Sequence, residues 1–238
     1  SSDRPYPLDR HGRDVSGLAK ANSERCGLSA HSAAFALAGL FHDVGKADPR
    51  FQAWLHGGNA RRAEMCGTLY AKSIVPFTSR RELAASRDQA GYPSDARHEL
   101  ASVRLAECAE REGVLPADLD PDQRDLILHL IATHHGHCRP FAPIIEDPKP
   151  VPFAYQHNGY SLQFTPDSSL SGHGLERVDS GVAERFWMLT RRYGWWGLPY
   201  LEALLRLADW ACSEPRETGE TTSDGRASAA AAAQEMVS

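Results

Sequence analysis

The feature that most constrains this chain is the stretch Leu37–Arg50, LAGLFHDVGKADPR, where an Ala/Leu-rich apolar run ends on His42 and Asp43 side by side. The segment from Ala33 to Phe41 predicts a helix, with Gly45 as its stop and the His-Asp pair in its last turn. An unpaired carboxylate in so dry a place costs roughly several kcal/mol or more. Asp43 is therefore expected to face a metal ion or a cationic side chain. The free carbonyls at a helix's C-terminal end favour a cation at the same point.

The same device recurs along the chain. DRHGRDVSGLAKAN reads as a short helix carrying Val15, Leu18 and Ala19, with His11 at its start. Spacing alone leaves His11 open between a solvated terminal histidine and a ligand, and His31, just before the Ala-rich helix, is its rival. SDARHELASVRLAECAER predicts a helix capped by Ser94, with Ala101, Leu105 and Cys108 on its apolar face and His98 on that same face. DQRDLILHLIATHHG gives the clearest helix, capped by Asp120 or Asp122, with Ile127, Leu130 and Ile131 inward. That face extends to His134, and Leu128 and Ile131 lead on to His135, while His129 falls with Asp125 and Ala132 on the wetter side. Near the end, GVAERFWMLTRRYGWWGLPYLEALLRLADWACSE predicts two helices broken in the Gly194 to Pro199 region. The second sets Leu201, Leu205 and Cys212 on one face with Asp209, a second dry carboxylate.

Between these helices the signal is weaker. From Phe51 to Arg97 regular periodicity is lost and Arg61, Arg62, Arg80 and Arg81 gather. A wet, exposed insertion with a short helix or two is favoured there over a rim that contacts phosphates. VPFAYQHNGYSLQF predicts a peripheral β-hairpin turning at Asn158 and Gly159. With 238 residues and 42% hydrophobic content the chain can bury one substantial core. We expect one domain over residues 1–214, then a linker or tail over 215–238 where Thr, Ser, Gly and Ala take over. The chain begins at Ser1, which suggests a piece of something longer. A formal charge of -5 excludes a surface that grips nucleic acid everywhere, though not a local basic track. Five cysteines without a CxxC pair give neither a disulfide framework nor a zinc knuckle, and fit a reducing, cytoplasmic setting. A local zinc site from His134, His137 and Cys138 lacks a fourth specified ligand and is disfavoured. No apolar run reaches the roughly 18 residues of a membrane span, so no membrane association is expected.

Taken together, HDVGKADPRFQ, RHELAS, the HH pair followed by Gly136 and RPF, and the late LAD resemble, in order, the landmarks of the HD phosphohydrolase superfamily. They are closest to the HD nuclease domain of the type I CRISPR-associated helicase-nuclease. The resemblance runs roughly from Arg10 to Glu214. It implies a mainly α-helical bundle with a minor hairpin, and a metal-dependent nuclease acting on single-stranded DNA. By analogy His11, His42 and Asp209 would hold one ion, His98, His134 and His135 the other, and Asp43 would bridge them.

Mixed imidazole and carboxylate ligands suit Mn, Fe, Co, Ni or Zn better than Mg or Ca. Two ions would activate water for in-line attack and take up the charge developing on phosphate. Lys46 would neutralise a phosphate oxygen in the transition state. The implied partners are an ATP-dependent helicase module, in cis or in trans, and a CRISPR RNA-guided surveillance complex. The motor is not in this sequence, since GxxxxGK[ST] is absent and Gly45 and Lys46 are followed by Ala47. Two alternatives remain: an HD phosphohydrolase acting on nucleotides or a signalling phosphoester, and a module whose site is inert.

Overall fold

The computed structural model describes residues 5–116 and 118–214; the expected tail at 215–238 lies outside them. The fold is mainly α-helical with one small sheet, as the sequence predicts. Helix α1 (Leu8–Arg25) buries His11, Val15 and Ala19 against α2 (Ser32–Phe41). No charged residue occurs in α2, and it runs through the middle of the bundle. At Gly39 the two helices nearly touch backbone to backbone, since a Cβ there would lie 2.8 Å from Ser16 Cα. That close crossing brings the start of α1 to the end of α2.

Around α2 pack α6 (His98–Arg111), α7 (Pro121–Thr133) and α8 (Val182–Ser213). Phe35, Phe41, Leu100, Leu105, Leu126, Ile127, Leu130, Ile131 and Leu205 fill the core between them. Asp120 caps α7 by accepting from Gln123 N–H at 2.7 Å, and Pro121 takes the first helical position. The path of α8 breaks at Gly194, at φ 78° and ψ 168°. The break lies where the sequence predicts one.

The stretch expected to be an exposed insertion holds three short helices, α3 (Pro49–Leu55), α4 (Ala60–Cys66) and α5 (Arg80–Ala90). Arg61, Arg62, Arg80 and Arg81 are exposed. The insertion nonetheless has its own small core of Phe51, Leu55 and Tyr92, with Trp54 and Tyr70 packed on it. Tyr92 and Ala96 are held there, so the chain stays irregular until Arg97. Helix α6 accordingly starts at His98, not at a Ser94 cap; the Ser94 hydroxyl donates to Asp95 instead.

Strands β1 (Phe153–His157) and β2 (Tyr160–Phe164) form the expected antiparallel hairpin, with Asn158 and Gly159 both left-handed at its turn. The hairpin is less peripheral than expected. Tyr155, Leu162 and Phe164 are buried in the main core, and β2 packs on α6.

Candidate metal centre

The end of α2 delivers His42 and Asp43 to the centre of the bundle. His42 keeps helical geometry, and a tight 3-10 turn, Val44–Ala47, follows Asp43. Gly45 is not the left-handed helix stop expected from the sequence. Its role is close approach: its N–H donates to Ser102 Oγ at 2.8 Å, and a Cβ there would lie 2.0 Å from His98 O. Only a glycine lets this turn press on the first turn of α6. The contact sets His98 Nε2 2.9 Å from Asp43 Oδ1.

Two imidazoles are oriented from behind. His42 Nδ1 donates to Gly39 O at 2.7 Å and His134 Nδ1 to Ile131 O at 2.7 Å. Since a carbonyl only accepts, the proton of each neutral ring sits on Nδ1 and the Nε2 lone pair faces the centre. His42 Nε2 is 3.5 Å from both Asp43 Oδ2 and Asp209 Oδ1, and His134 Nε2 is 3.8 Å from Asp43 Oδ1. Among the described residues neither nitrogen has a hydrogen-bond partner, and His98 Nε2, close to Asp43 but poorly aligned, has none either. Buried lone pairs that converge on carboxylates without a donor between them are what a cation would satisfy. The residues therefore fit divalent-metal ligation.

The centre has two lobes that meet at Asp43. Ligand atoms of His11, His42, Asp43 and Asp209 lie within 4.8 Å of one another, and so do those of Asp43, His98, His134 and His135. In the first lobe His11 Nε2 stands 3.2 Å from Asp43 Oδ2 and 3.1 Å from Asp209 Oδ1. Burial works against charge on His11, but its bonds to Asp209 and Asp43 outweigh this and raise its pKa. A proton there does what a cation between the carboxylates would do. Burial likewise works against both acids. Lys46, His42, His11 and His98 still hold Asp43 well below the usual carboxylate range, and His11 and His42 do so for Asp209.

In the second lobe burial, with His42 and His135 beside it, pushes His134 down and keeps its lone pair free. His135 is an exposed residue, yet the partial burial of its ring and the neighbouring His98 push it down to about 4. Its ring lies 4.1 Å from that of His134 and 5.1 Å from that of His98. Lys46 Nζ donates to Asp43 Oδ2 at 2.6 Å and to Ala71 O at 3.3 Å.

His11, His42, Asp43, Lys46, His98, His134, His135 and Asp209 thus lie at this one place. The rival His31 does not: its ring packs on Tyr193. His137 and Cys138 join neither lobe, and burial pushes the Cys138 thiol up to about 12, away from a thiolate ligand. His129, expected on the wetter side, is buried and bonded to Glu202 at 2.7 Å. The helical period placed it correctly opposite the apolar stripe, but α8 covers that side.

Sequence reasoning missed the residues that hold the centre in place. Gln52 donates to Lys46 O at 2.7 Å and to Tyr70 O at 2.9 Å, while its Oε1 accepts from Tyr70 N–H, so it ties the 69–72 segment to the Lys46 turn. Arg206 donates to His134 O at 2.8 Å and closes the end of α7. Gln52 stands inside the ADPRFQ extension, which was the available hint. Arg206 carries no local signal.

A family model described as Cas3, HD domain matches residues 8–217. No curated protein and no solved structure matches the chain.

Proposed function

The chain belongs to the Cas3 HD-domain family, a family of metal-dependent nucleases of CRISPR systems, and from that premise we propose that it hydrolyses phosphodiester bonds of single-stranded DNA with two divalent transition-metal ions. The observation that carries the two-ion reading is the pair of donor groups that share Asp43. His11, His42 and Asp209 would hold one ion and His98, His134 and His135 the other, with the Asp43 carboxylate available to both. The mixed imidazole and carboxylate donors favour Mn, Fe, Co or Ni. Bound there, the ions supply Lewis acidity toward a phosphate oxygen and lower the pKa of water.

The protein's own part is arrangement. The Gly39 and Ile131 carbonyls hold the Nδ1 side of His42 and His134 from behind, so both rings turn Nε2 toward the centre. Gly45 holds the two lobes together through α6. Lys46 lies against the bridging carboxylate, from which a swing of its flexible stem reaches a bound phosphate. There its ammonium neutralises charge that develops in the transition state.

We place the domain in the cytoplasm beside an ATP-dependent helicase module, in cis or in trans, and a CRISPR RNA-guided surveillance complex. No described helix is long and apolar enough to cross a membrane. A partner surface is supported by the outer face of α8, where Trp196, Tyr200, Leu207 and Trp210 are all exposed. The test is a cleavage assay of labelled single-stranded DNA beside a panel of nucleotides and cyclic nucleotides, with Mn, Co or Ni added. Metal-dependent loss of the DNA with the nucleotides intact is expected. The reverse pattern would transfer the protein to the nucleotide phosphohydrolases.

A further inference from the structure

We propose that Lys72 is a second backbone-gripping cation of this site, contacting a phosphate next to the one that Lys46 serves and so selecting a polynucleotide over a small phosphodiester. The proposal rests on the nuclease reading above. In the sequence Lys72 falls in the Phe51 to Arg97 stretch, where a wet insertion is favoured over a rim that contacts phosphates. The structure brings its segment to the centre. Leu8 N–H donates to Leu69 O at 2.8 Å and Ala71 N–H to Tyr6 O at 2.9 Å, so residues 69–71 lie extended along the entry to α1. Gln52 clamps Tyr70 from the other side, and Lys46 Nζ reaches the carbonyl of Ala71, the residue directly before Lys72.

From this strap the Lys72 side chain extends toward the His11–Asp209 lobe. Its ammonium donates to Ser213 O, and the Ser213 hydroxyl in turn donates to Asp209 Oδ1 at 3.3 Å. It also lies 5.7 Å from the centre of the Tyr6 ring, whose edge packs on His11 at 5.0 Å. Lys72 is thus one side chain removed from two proposed ligands, on the opposite lobe from His98 and His135. Lys46 is already paired with Asp43. Lys72, among the described residues, has no carboxylate within ion-pair distance. An ammonium carries three donors, and the Ser213 carbonyl uses one. Among the described residues the remaining N–H groups have no carboxylate at ion-pair distance, which suits them to a phosphate oxygen. Partial burial, against the pull of Asp209, lowers its pKa, in keeping with a charge short of partners.

A cation offset from the reacting phosphate has something to hold only when the substrate has a neighbouring phosphate. Lys72→Ala is therefore expected to raise KM for a labelled oligodeoxythymidylate by about threefold to tenfold at unchanged kcat, the weight of one phosphate contact. Hydrolysis of bis(4-nitrophenyl) phosphate, which has no second phosphate, should stay as in the parent. Lys72→Arg, which keeps the charge, should restore KM. In chelator, without metal, fluorescence anisotropy of the same oligonucleotide should show a salt dependence shallower by about 0.7 for Lys72→Ala, the slope of one released counterion on a single strand. Equal losses on both substrates would make Lys72 a prop for the end of α8 and overturn the proposal, as would an unchanged oligonucleotide KM and salt slope. A parent protein that cleaves neither substrate would sink the nuclease reading instead, and the metal-free salt slope would still decide Lys72.

Discussion

Helices α7 and α8 each contribute to two buried histidine-carboxylate clusters. One joins His129 of α7 to Glu202 of α8; the other sets His134, at the end of α7, beside Asp43, which Asp209 of α8 joins in the other lobe. Both histidines are buried, and burial pushes the pKa of both down, His129 to about 3. The clusters differ in where the ring nitrogens point. His129 Nε2–H donates straight to Glu202 Oε1, and the Arg139 guanidinium neutralises the other oxygen as an ion pair, although among the described residues Oε2 accepts no aligned hydrogen bond. His134 spends its proton on a backbone carbonyl behind it and presents an unmatched lone pair to the centre. A depressed pKa in a core therefore does not separate a structural histidine from a proposed ligand. The partner of the second nitrogen does.

That difference predicts which variants lose chemistry and which lose stability. The largest effect is expected at the shared carboxylate. Asp43→Ala should abolish bound metal in both lobes and lower cleavage by at least about three orders of magnitude, more than one electrostatic contact supplies. Metal content by plasma mass spectrometry is the direct readout, and a full complement in the variant would remove Asp43 from the bridging position. Next comes Lys46→Ala, which should retain metal and fold while cleavage drops by roughly two to three orders of magnitude. Loss of metal there would make Lys46 an assembly residue, and undiminished cleavage would end its catalytic role.

At the His129–Glu202 cluster the expectation reverses. Glu202→Ala strands His129 and Arg139 and should destabilise the fold by about 2 kcal/mol, discounted because Arg139 is partly exposed. Metal content and turnover at low temperature should stay near the parent's. Denaturant unfolding beside a metal assay checks both, and metal loss without destabilisation would erase the distinction drawn between the clusters.

The smallest effect is a pH dependence. Burial keeps His129 neutral down to about 3 and His173 to about 4, whereas both protonate near 6.5 once the chain unfolds. Below 6.5 the unfolded chain then binds more protons than the folded one. Their contribution is thus complete above about 6.5 and is lost as pH falls toward 3; His11, whose pKa is raised, acts in the opposite sense. The Tm should fall across that window, and His129→Gln, neutral throughout, should flatten the fall. An identical slope in the variant would mean that the acid sensitivity comes from elsewhere.

Much of this molecule could be read without coordinates, because the apolar period of a helix and the chemistry of its end are local properties. The α2 run and its His-Asp terminus, the inward face of α7 ending on His134, the break in α8 and the Asn158–Gly159 hairpin all follow from neighbours a few residues apart. His98 and Asp209 are legible as polar groups on apolar faces, whereas His11 stands out only through the family resemblance, and nothing local says that these helices meet. Tertiary structure decided that, through a close crossing at Gly39 and a turn pressed on α6 at Gly45. It also decided the fate of His129, since a helix has one period but can be covered on two sides. Residues 69–72 were the least legible of all. A charged stretch without periodicity looks solvated, and only Gln52 and the Tyr6 carbonyl, neither close to it in sequence, draw Lys72 toward the two carboxylates.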